Sequence, residues 1–473
     1  MESPLTRRTF LSATGAVAGA RIVTSSAAAS TDEKTMNHLH TNSSLEEAVK
    51  HLVAETPFVD THEHFCEESR RVRSVLEGDR SLPAPDFGML LSHYTVNDLN
   101  VAGMTAEEFD QTQSWDVSLA RKWELTAPYY ARCRHTGYQL CLRETLRLLF
   151  DEPDLSADNY ERISKYVAEH ATPGFYARIL REKANIEYAH INCLENSLFR
   201  ETASPDLFGV DLSINGLCVP PNLELLSGLL GSNVILLEDA VAAIDVCFEK
   251  YGAKAVAIKS QCAYWRSLNF VNAPIKQAAP VFKRFARGDS LMPEEHEIVQ
   301  GHLFHHCMRK AAEYGLVVKL HTGYYAGHGG MPLSRVRDNV SDLCPVLQAH
   351  PDTNFSLFHI AYPYQDEAIA LAKHYKNAYV DMCWAWIINP AASVRFLKEY
   401  IMAAPACKLF TFGGDYMPVE LSAGHAVVAR RGITQAIVAL IREGWMEEDD
   451  APALIERIMR GNARETFDSK KKT

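Results

Sequence analysis

From residue 255 onward, short β-branched or apolar runs alternate with amphipathic helical stretches, and this rhythm leaves the chain few architectures. Runs at 255–259, 316–321, 354–359, 378–383 and 408–413 are separated by segments such as 303–314 and 365–375, whose apolar residues recur at helical spacing. Strands that alternate with helices pair in parallel, because a parallel crossover needs a connection of about that length. Earlier runs at 58–61 and 186–193, with a weaker one at 212–218, bring the count to eight. Eight such units close into a barrel. The expected fold is therefore α/β, a (β/α)8 TIM-like barrel. Residues 67–183 do not fit that rhythm: they are rich in Trp, Tyr, Arg and Leu and show helical periodicity at 140–150 and 160–170. They predict a helical insertion after the first strand. It is read as a lid or specificity subdomain, or equally as padding or an oligomer interface.

The barrel is expected to span residues 56–470, and the first thirty residues differ in kind. Thr6-Arg7-Arg8-Thr9-Phe10-Leu11 opens an Ala- and Gly-rich apolar segment, interrupted at Arg21 and followed by small residues through Ser30. This pattern is similar to a twin-arginine export signal over 1–30, which implies an exported, periplasmic or extracytoplasmic protein. Residues 31–55 are expected to be a linker, flexible to about Ser43. The formal charge of −11 argues against nucleic acid or an anionic membrane as the main partner. No apolar stretch reaches the roughly 18–20 residues of a membrane span. A small-molecule substrate is the expected partner, and a homo-oligomer is left open. The eleven cysteines include no C-x-x-C pair. Cys262 and Cys383 read as buried thiols, and Cys66 as a packing residue near His64.

The chemistry collects at the carboxyl ends of the predicted strands, where a barrel of this kind carries its active site. His62 and His64 lie two apart on the first strand, so both imidazoles project to one face. The fifth run ends at His321, the sixth at His359, and the eighth leads through Gly413-Gly414 into Asp415. Imidazoles and a carboxylate are the donors of catalytic zinc sites, which keep a position open for water. Asp415 could both ligate a metal and accept a proton, while His359 could polarise a substrate carbonyl or shuttle a proton. The glycine- and aromatic-rich stretch 323–330 either folds over the metal, bringing Tyr325 or His328 to substrate, or is a mobile surface loop. Trp384 and Trp386 either line an apolar wall or pack in the core. His302 and His306 lack the Glu of a helical zinc motif and receive no role.

His62-x-His64, His321, His359 and Asp415 together resemble the amidohydrolase superfamily. The similarity is greatest to the amidohydrolase-2 type, and especially to the amidohydrolase domain of nodulin-like proteins fused to glutamine synthetase. That narrower resemblance rests on Lys259-Ser260-Gln261-Cys262-Ala263-Tyr264-Trp265-Arg266, Leu320-His321-Thr322-Gly323-Tyr324, and His359-Ile360-Ala361-Tyr362-Pro363-Tyr364. Gly461-Asn462-Ala463-Arg464 before Phe467 also fits. The resemblance implies a divalent metal, zinc before others, held by His62, His64, His321 and Asp415. It leaves one or two metals open, with Lys259 either bridging two metals as a carbamate or contacting substrate. Tyr264 and Arg266 either clamp a substrate carboxylate or anchor their loop. The function expected is metal-dependent hydrolysis of an amide C–N bond in a small carboxylate-bearing substrate. The alternatives are uronate isomerase-like chemistry, suggested by the insertion with its Tyr94 and Trp115, a metal-dependent decarboxylase, and last a non-catalytic metal-binding protein. Against the isomerase, Asp415-Tyr416-Met417 lacks the arginine that family carries two residues past its aspartate.

Overall fold

The structure is a computed structural model that describes residues 44–192, 194 and 198–468. The proposed export signal lies outside the described residues. A compact unit starts at Ala48. Residues 48–55 are helical rather than linker-like. Asn185 Nδ2 holds the carbonyls of Ala54 and Glu55 at 3.0 and 3.2 Å, and Arg430 Nη1 holds that of Thr56 at 2.8 Å.

The strands are β1 (Phe58–Glu63), β2 (Ile186–Ile191), β3 (Phe208–Val210), β4 (Leu212–Ser213), β5 (Ala257–Ser260), β6 (Val317–Leu320), β7 (Phe355–Phe358), β8 (Ala378–Asp381) and β9 (Leu409–Phe410). Every pairing between them is parallel, in the orders β1-β2-β3 and β4-β5-β6-β7-β8-β9. β1, β5, β6 and β7 are buried at every position, as strands covered on both faces must be. The segment after β9 closes the circle on β1: Thr61 N donates to Phe412 O at 3.0 Å, Asp415 N to His62 O at 2.9 Å, and His64 N to Tyr416 O at 3.0 Å.

The expected third strand at 212–218 is corrected. It is two short pieces split at Asp211, and Asn215–Cys218 is helical. The split has a physical cause. Asp211 N donates to Ile191 O while Val256 N donates to Val210 O, so the chain changes partners here. The Asp211 side chain turns inward to Lys319, whose Nζ lies 2.8 and 3.0 Å from its two oxygens. Lys319 also donates to Thr61 O at 2.8 Å and lies 3.1 Å from His190 Nδ1. Below this buried charge, Val59, Ala257, Val317 and Phe410 pack with Ala463 and Phe467 of the last helix to plug the amino end of the barrel.

Between β1 and β2 the described elements are helical, among them Gly137–Phe150 and Tyr160–His170, where periodicity predicted helices. The long helix after β9, Val419–Arg442, crosses Gly137–Phe150 and ties these helices to the barrel. Arg71 pairs with buried Glu420 at 2.6 Å, and Arg431 with Glu144 at 2.7 Å. The crossing is close at Gly424, where a Cβ would lie 2.1 Å from Thr145 Oγ1 and 2.4 Å from Cys141 O. Gly424→Ala should therefore destabilise the fold by about 1–3 kcal/mol, the usual cost of overpacking. A lower urea midpoint at unchanged slope would show it; an unchanged midpoint would mean the helices separate freely. All described cysteines are free, and most are buried, as the buried-thiol reading expects. Among the described residues no helix is long and apolar enough to cross a membrane.

Candidate active site

The β1 sequence alternates its outlook, so Asp60, His62 and His64 share one side. Asp60 Oδ1 accepts from His62 N at 3.0 Å and Gly414 N at 3.3 Å, which fastens the strand end to the turn that carries Asp415. That turn requires glycine at 414, where a Cβ would meet Glu63 Oε1 at 1.9 Å. Asp415 itself takes φ 59°, a left-handed conformation that points its carboxylate back at β1. The result is a tight cluster. Asp415 Oδ1 lies 3.2 Å from His62 Nε2 and 3.1 Å from His64 Nε2.

These three groups fit a divalent metal. His64 Nδ1 donates to Asn192 O at 2.7 Å, which in the neutral ring leaves Nε2 with its lone pair facing the Asp415 oxygen. Two acceptors at that separation repel unless a positive charge, an imidazolium or a metal, lies between them. Burial, with the Lys259 ammonium beside it, holds His62 well below the usual histidine range, so its ring is neutral. Burial opposes charge on Asp415, but positive charge and a hydrogen bond at His62, with a hydrogen bond from His64, outweigh it and hold the carboxyl well below its usual range, so the site calls for a cation between this carboxylate and the rings. Neutral imidazole and ionised carboxylate are the forms that bind metal. Among the described residues, His62, His64 and Asp415 form one candidate metal cluster, and His359, Cys383 and Asp415 another.

His321 stands one step behind. Its Nε2 donates to Tyr324 O at 2.9 Å, which leaves Nδ1 to accept from His359 Nε2 at 3.1 Å. The Tyr324 carbonyl thus sets the tautomer of His321, and His321 that of His359. Both His321 nitrogens are engaged, so the structure leaves it outside the cluster in which it was expected as a ligand. Burial and Lys259 lower His321 to about 3. His359 Nε2 is 3.8 Å from Asp415 Oδ2, and burial holds this histidine neutral too. Lys259 ends β5 with Nζ 3.3 Å from His62 Nε2 and 3.8 Å above the Phe358 ring, and burial lowers it to about 8.

A family model described as Amidohydrolase matches residues 226–468, just over half of the chain. The chain belongs to the amidohydrolase family. It is 25% identical over 410 residues to the uronate isomerase of Nostoc punctiforme, covering 78% of this chain and 85% of that protein. The glucuronate isomerase structure from Caulobacter crescentus superposes with a TM-score of 0.69 at 19% identity, over 90% of this chain and 94% of that one. Uronate isomerase from Thermotoga maritima gives 0.67 at 15% identity, over 89% and 97%. At these identities the two structures speak for the barrel fold. Protein fluG of Emericella nidulans is 28% identical over 103 residues, 21% of this chain and 11% of that protein. The longer sequence match thus runs to a uronate isomerase rather than to the nodulin-type fusions that the motifs resemble.

The other expected site residues of this amidohydrolase separate into two groups. Tyr264 lies on the site, its ring centroid 4.4 Å from that of His321 and its hydroxyl accepting from Ala326 N at 3.1 Å. Tyr325 is buried close by, hydrogen-bonded to Ala263 O and accepting from Arg335 Nε at 3.1 Å, so it binds the loop rather than lining open space. Of its two readings Arg266 takes the loop anchor, not the substrate clamp. It donates to Ser267 O, Gln300 Oε1 and Asn269 O at 2.8, 2.6 and 2.9 Å and stacks on Phe270. His328 is exposed and belongs to neither metal cluster among the described residues. Trp386 packs in the core with Nε1 donating to Thr411 O at 2.7 Å, whereas Trp384 sets its edge on His359 at 5.4 Å. His302 and His306 bond to Ala273 O and Asp245, outside the site, and Cys66 joins neither cluster.

Three site residues escaped sequence reasoning or were seen only in part. His93, Tyr94 and Tyr138 come from the inserted helical region and roof the metal cluster. Tyr94 stacks on Trp384 at 4.5 Å and on Tyr138 at 5.4 Å, while the His93 ring is 5.7 Å from that of His64. Burial and the nearby Asp415 carboxylate keep the Tyr94 phenol protonated, well above its usual range. Part of this helical region therefore faces the site. Trp115 is elsewhere, its Nε1 donating to Leu82 O at 2.9 Å.

Proposed function

We propose that this amidohydrolase is a metal-dependent isomerase of the uronate isomerase type, moving a proton between adjacent carbons of a small sugar acid. The observation that carries this is the 25% identity to a uronate isomerase across 78% of the chain. A divalent cation, Zn2+ in this reading, would be held by His62, His64 and Asp415 and would supply Lewis-acid polarisation of a substrate oxygen. The chain's own groups suit the rest. Converting an aldose to a ketose takes the C2 proton to C1 and the O2 proton to O1. Asp415 Oδ2, the oxygen turned from the histidine pair toward His359, takes the carbon-bound proton and returns it. His359 shares with the substrate carbonyl oxygen, where negative charge develops, the Nε2–H that it gives to His321 Nδ1. The Tyr94 phenol stays protonated as a second donor, and the Lys259 ammonium, with its pKa near 8, pairs with an anionic oxygen at neutral pH. The aromatic roof keeps water from the intermediate.

Hydrolysis of a C–N bond remains the second reading, favoured by Met417, which stands where isomerases carry arginine. One panel separates the two. Hexuronates should yield ketoses, while N-acyl and γ-glutamyl amides and aromatic carboxylates stay unchanged. Amide cleavage without ketose formation overturns the isomerase, and carbon dioxide release points to a decarboxylase. Export by the twin-arginine route belongs to the proposal as well. Replacing Arg7 and Arg8 by Lys should leave precursor in the cytoplasm; unchanged secretion refutes it.

A further inference from the structure

A cavity of about 120 Å³ opens beside the His62–His64–Asp415 cluster, and His64 is the cluster member that lines it. Three stretches of chain build its walls. The chain beyond β1 supplies Phe65, the inserted helical region Leu82, Pro83 and Met89, and the turn after Asp415 Met417 and Pro418. Met417 N donates to His93 Nδ1 at 3.2 Å, which fixes this turn against the helical region. An apolar cavity of about 150 Å³ takes a benzene ring, so this one admits a group near that size.

Charge is balanced along these walls. Arg71 pairs with Glu420 at 2.6 Å, and Arg200 donates to Phe65 O at 3.0 Å with its Nε 3.7 Å from Glu67. Each guanidinium therefore already faces an acid, and Arg71 Nε is left as a single donor without a partner. Ser92 turns its hydroxyl to Met89 O at 2.6 Å. An anion here would share a cation that is already neutralised, whereas an apolar group gains by leaving water. Met417 sharpens the choice: where isomerases carry arginine, this chain sets a thioether against the cavity.

We propose that this cavity is a substrate subsite for an uncharged apolar group about the size of an aromatic ring, carried on a ligand whose polar end lies at the metal cluster. Resting on the isomerase reading for the rest of the substrate, the sugar acid that fits best bears such a group as an ether, ester or alkyl substituent. Leu82 and Met417, on opposite sides of the cavity's sequence, select for it.

Hydroxamates test this without turnover, because one head group that chelates zinc can carry different tails. Zinc-loaded full-length protein is titrated in a calorimeter with acetohydroxamate, phenylacetohydroxamate and succinate monohydroxamate. The phenyl tail should tighten binding about tenfold or more over the methyl, and the carboxylate tail should bring no gain. Leu82→Asp should cancel the phenyl gain, read as the ratio of two affinities in the same variant, so a general loss of folded protein does not mimic it. Met417→Arg should weaken the phenyl ligand and tighten the carboxylate one. No phenyl gain in the unaltered protein overturns the proposal, as does a preference for the carboxylate tail. A phenyl gain of the same size in both variants overturns its placement in this cavity. Hexuronate turnover enters none of these outcomes, so the isomerase reading stands or falls separately. If acetohydroxamate fails to bind, the metal reading fails, and benzyl alcohol becomes the probe. Binding that Leu82→Asp abolishes then upholds the subsite, and no binding overturns it.

Discussion

Asp415→Asn should lower turnover by about 10³-fold or more and release the metal, the largest functional loss of any single substitution here. The change keeps the shape of the side chain and removes only its charge. That charge faces both histidine edges, with Oδ1 at 3.2 and 3.1 Å from His62 and His64, and attracts the cation that lets them stand so close. Without it, two neutral imidazoles face an amide in a buried pocket, and a divalent cation loses its one anionic donor in that cluster. The variant also loses the group proposed to take the substrate proton, so restoring metal at high concentration should recover binding without recovering rate. His62→Ala offers the contrast, because it removes a donor but leaves the proposed base; excess metal should then restore part of the rate. Metal content after gel filtration, measured beside turnover, checks both. Full metal and full activity in Asp415→Asn would sink the site as described.

Lys319→Met should cost about 3–5 kcal/mol of stability, the largest structural effect expected, because it leaves a buried charge without its partner. Lys319 and Asp211 are both fully buried, with Nζ 2.8 Å from Oδ1. No other cation is bonded to Asp211 among the described residues, and the Thr61 carbonyl and His190 also lose a donor. In the intact protein burial raises the Asp211 pKa and Lys319 pulls it back down. Removing the lysine raises it further, so folding of the variant favours the protonated acid. A folded-state pKa above the unfolded one stabilises at low pH, and that stability is lost as pH rises. The deficit against the unaltered protein should therefore be smallest in acid and widen toward neutral pH. Urea unfolding at several pH values checks this, and a pH-independent deficit would mean Asp211 stays ionised in the variant. The double replacement Lys319→Met with Asp211→Leu should recover much of the loss, since no charge is then buried alone.

Residues at the ends of apolar runs were legible because a strand end in a parallel barrel points its next side chains into the site. His62, His64, His359 and Asp415 all follow this rule, and all four stand together. His321 follows it in position, yet the Tyr324 carbonyl turns its Nε2 away, a bond three residues long in sequence that no periodicity announces. Arg266 shows the converse. Its residue type suits a carboxylate, but Gln300 lies within reach of its Nη1 on a distant helix and engages it instead. The third strand was misplaced because its break depends on Lys319, far away in sequence, drawing Asp211 inward.

By itself the sequence determined the barrel, the strand-end donors and the presence of a long helical region behind His64. Local preference and periodicity act over a few residues, and they are enough to specify elements and the faces they bury. Only the tertiary structure decided which nitrogen of each histidine faces Asp415, that Tyr94 and Tyr138 roof the site, and that Cys383 sits opposite the histidine pair across one carboxylate. Those outcomes depend on contacts between residues hundreds of positions apart, made once the barrel closes through β1 and the turn carrying Asp415.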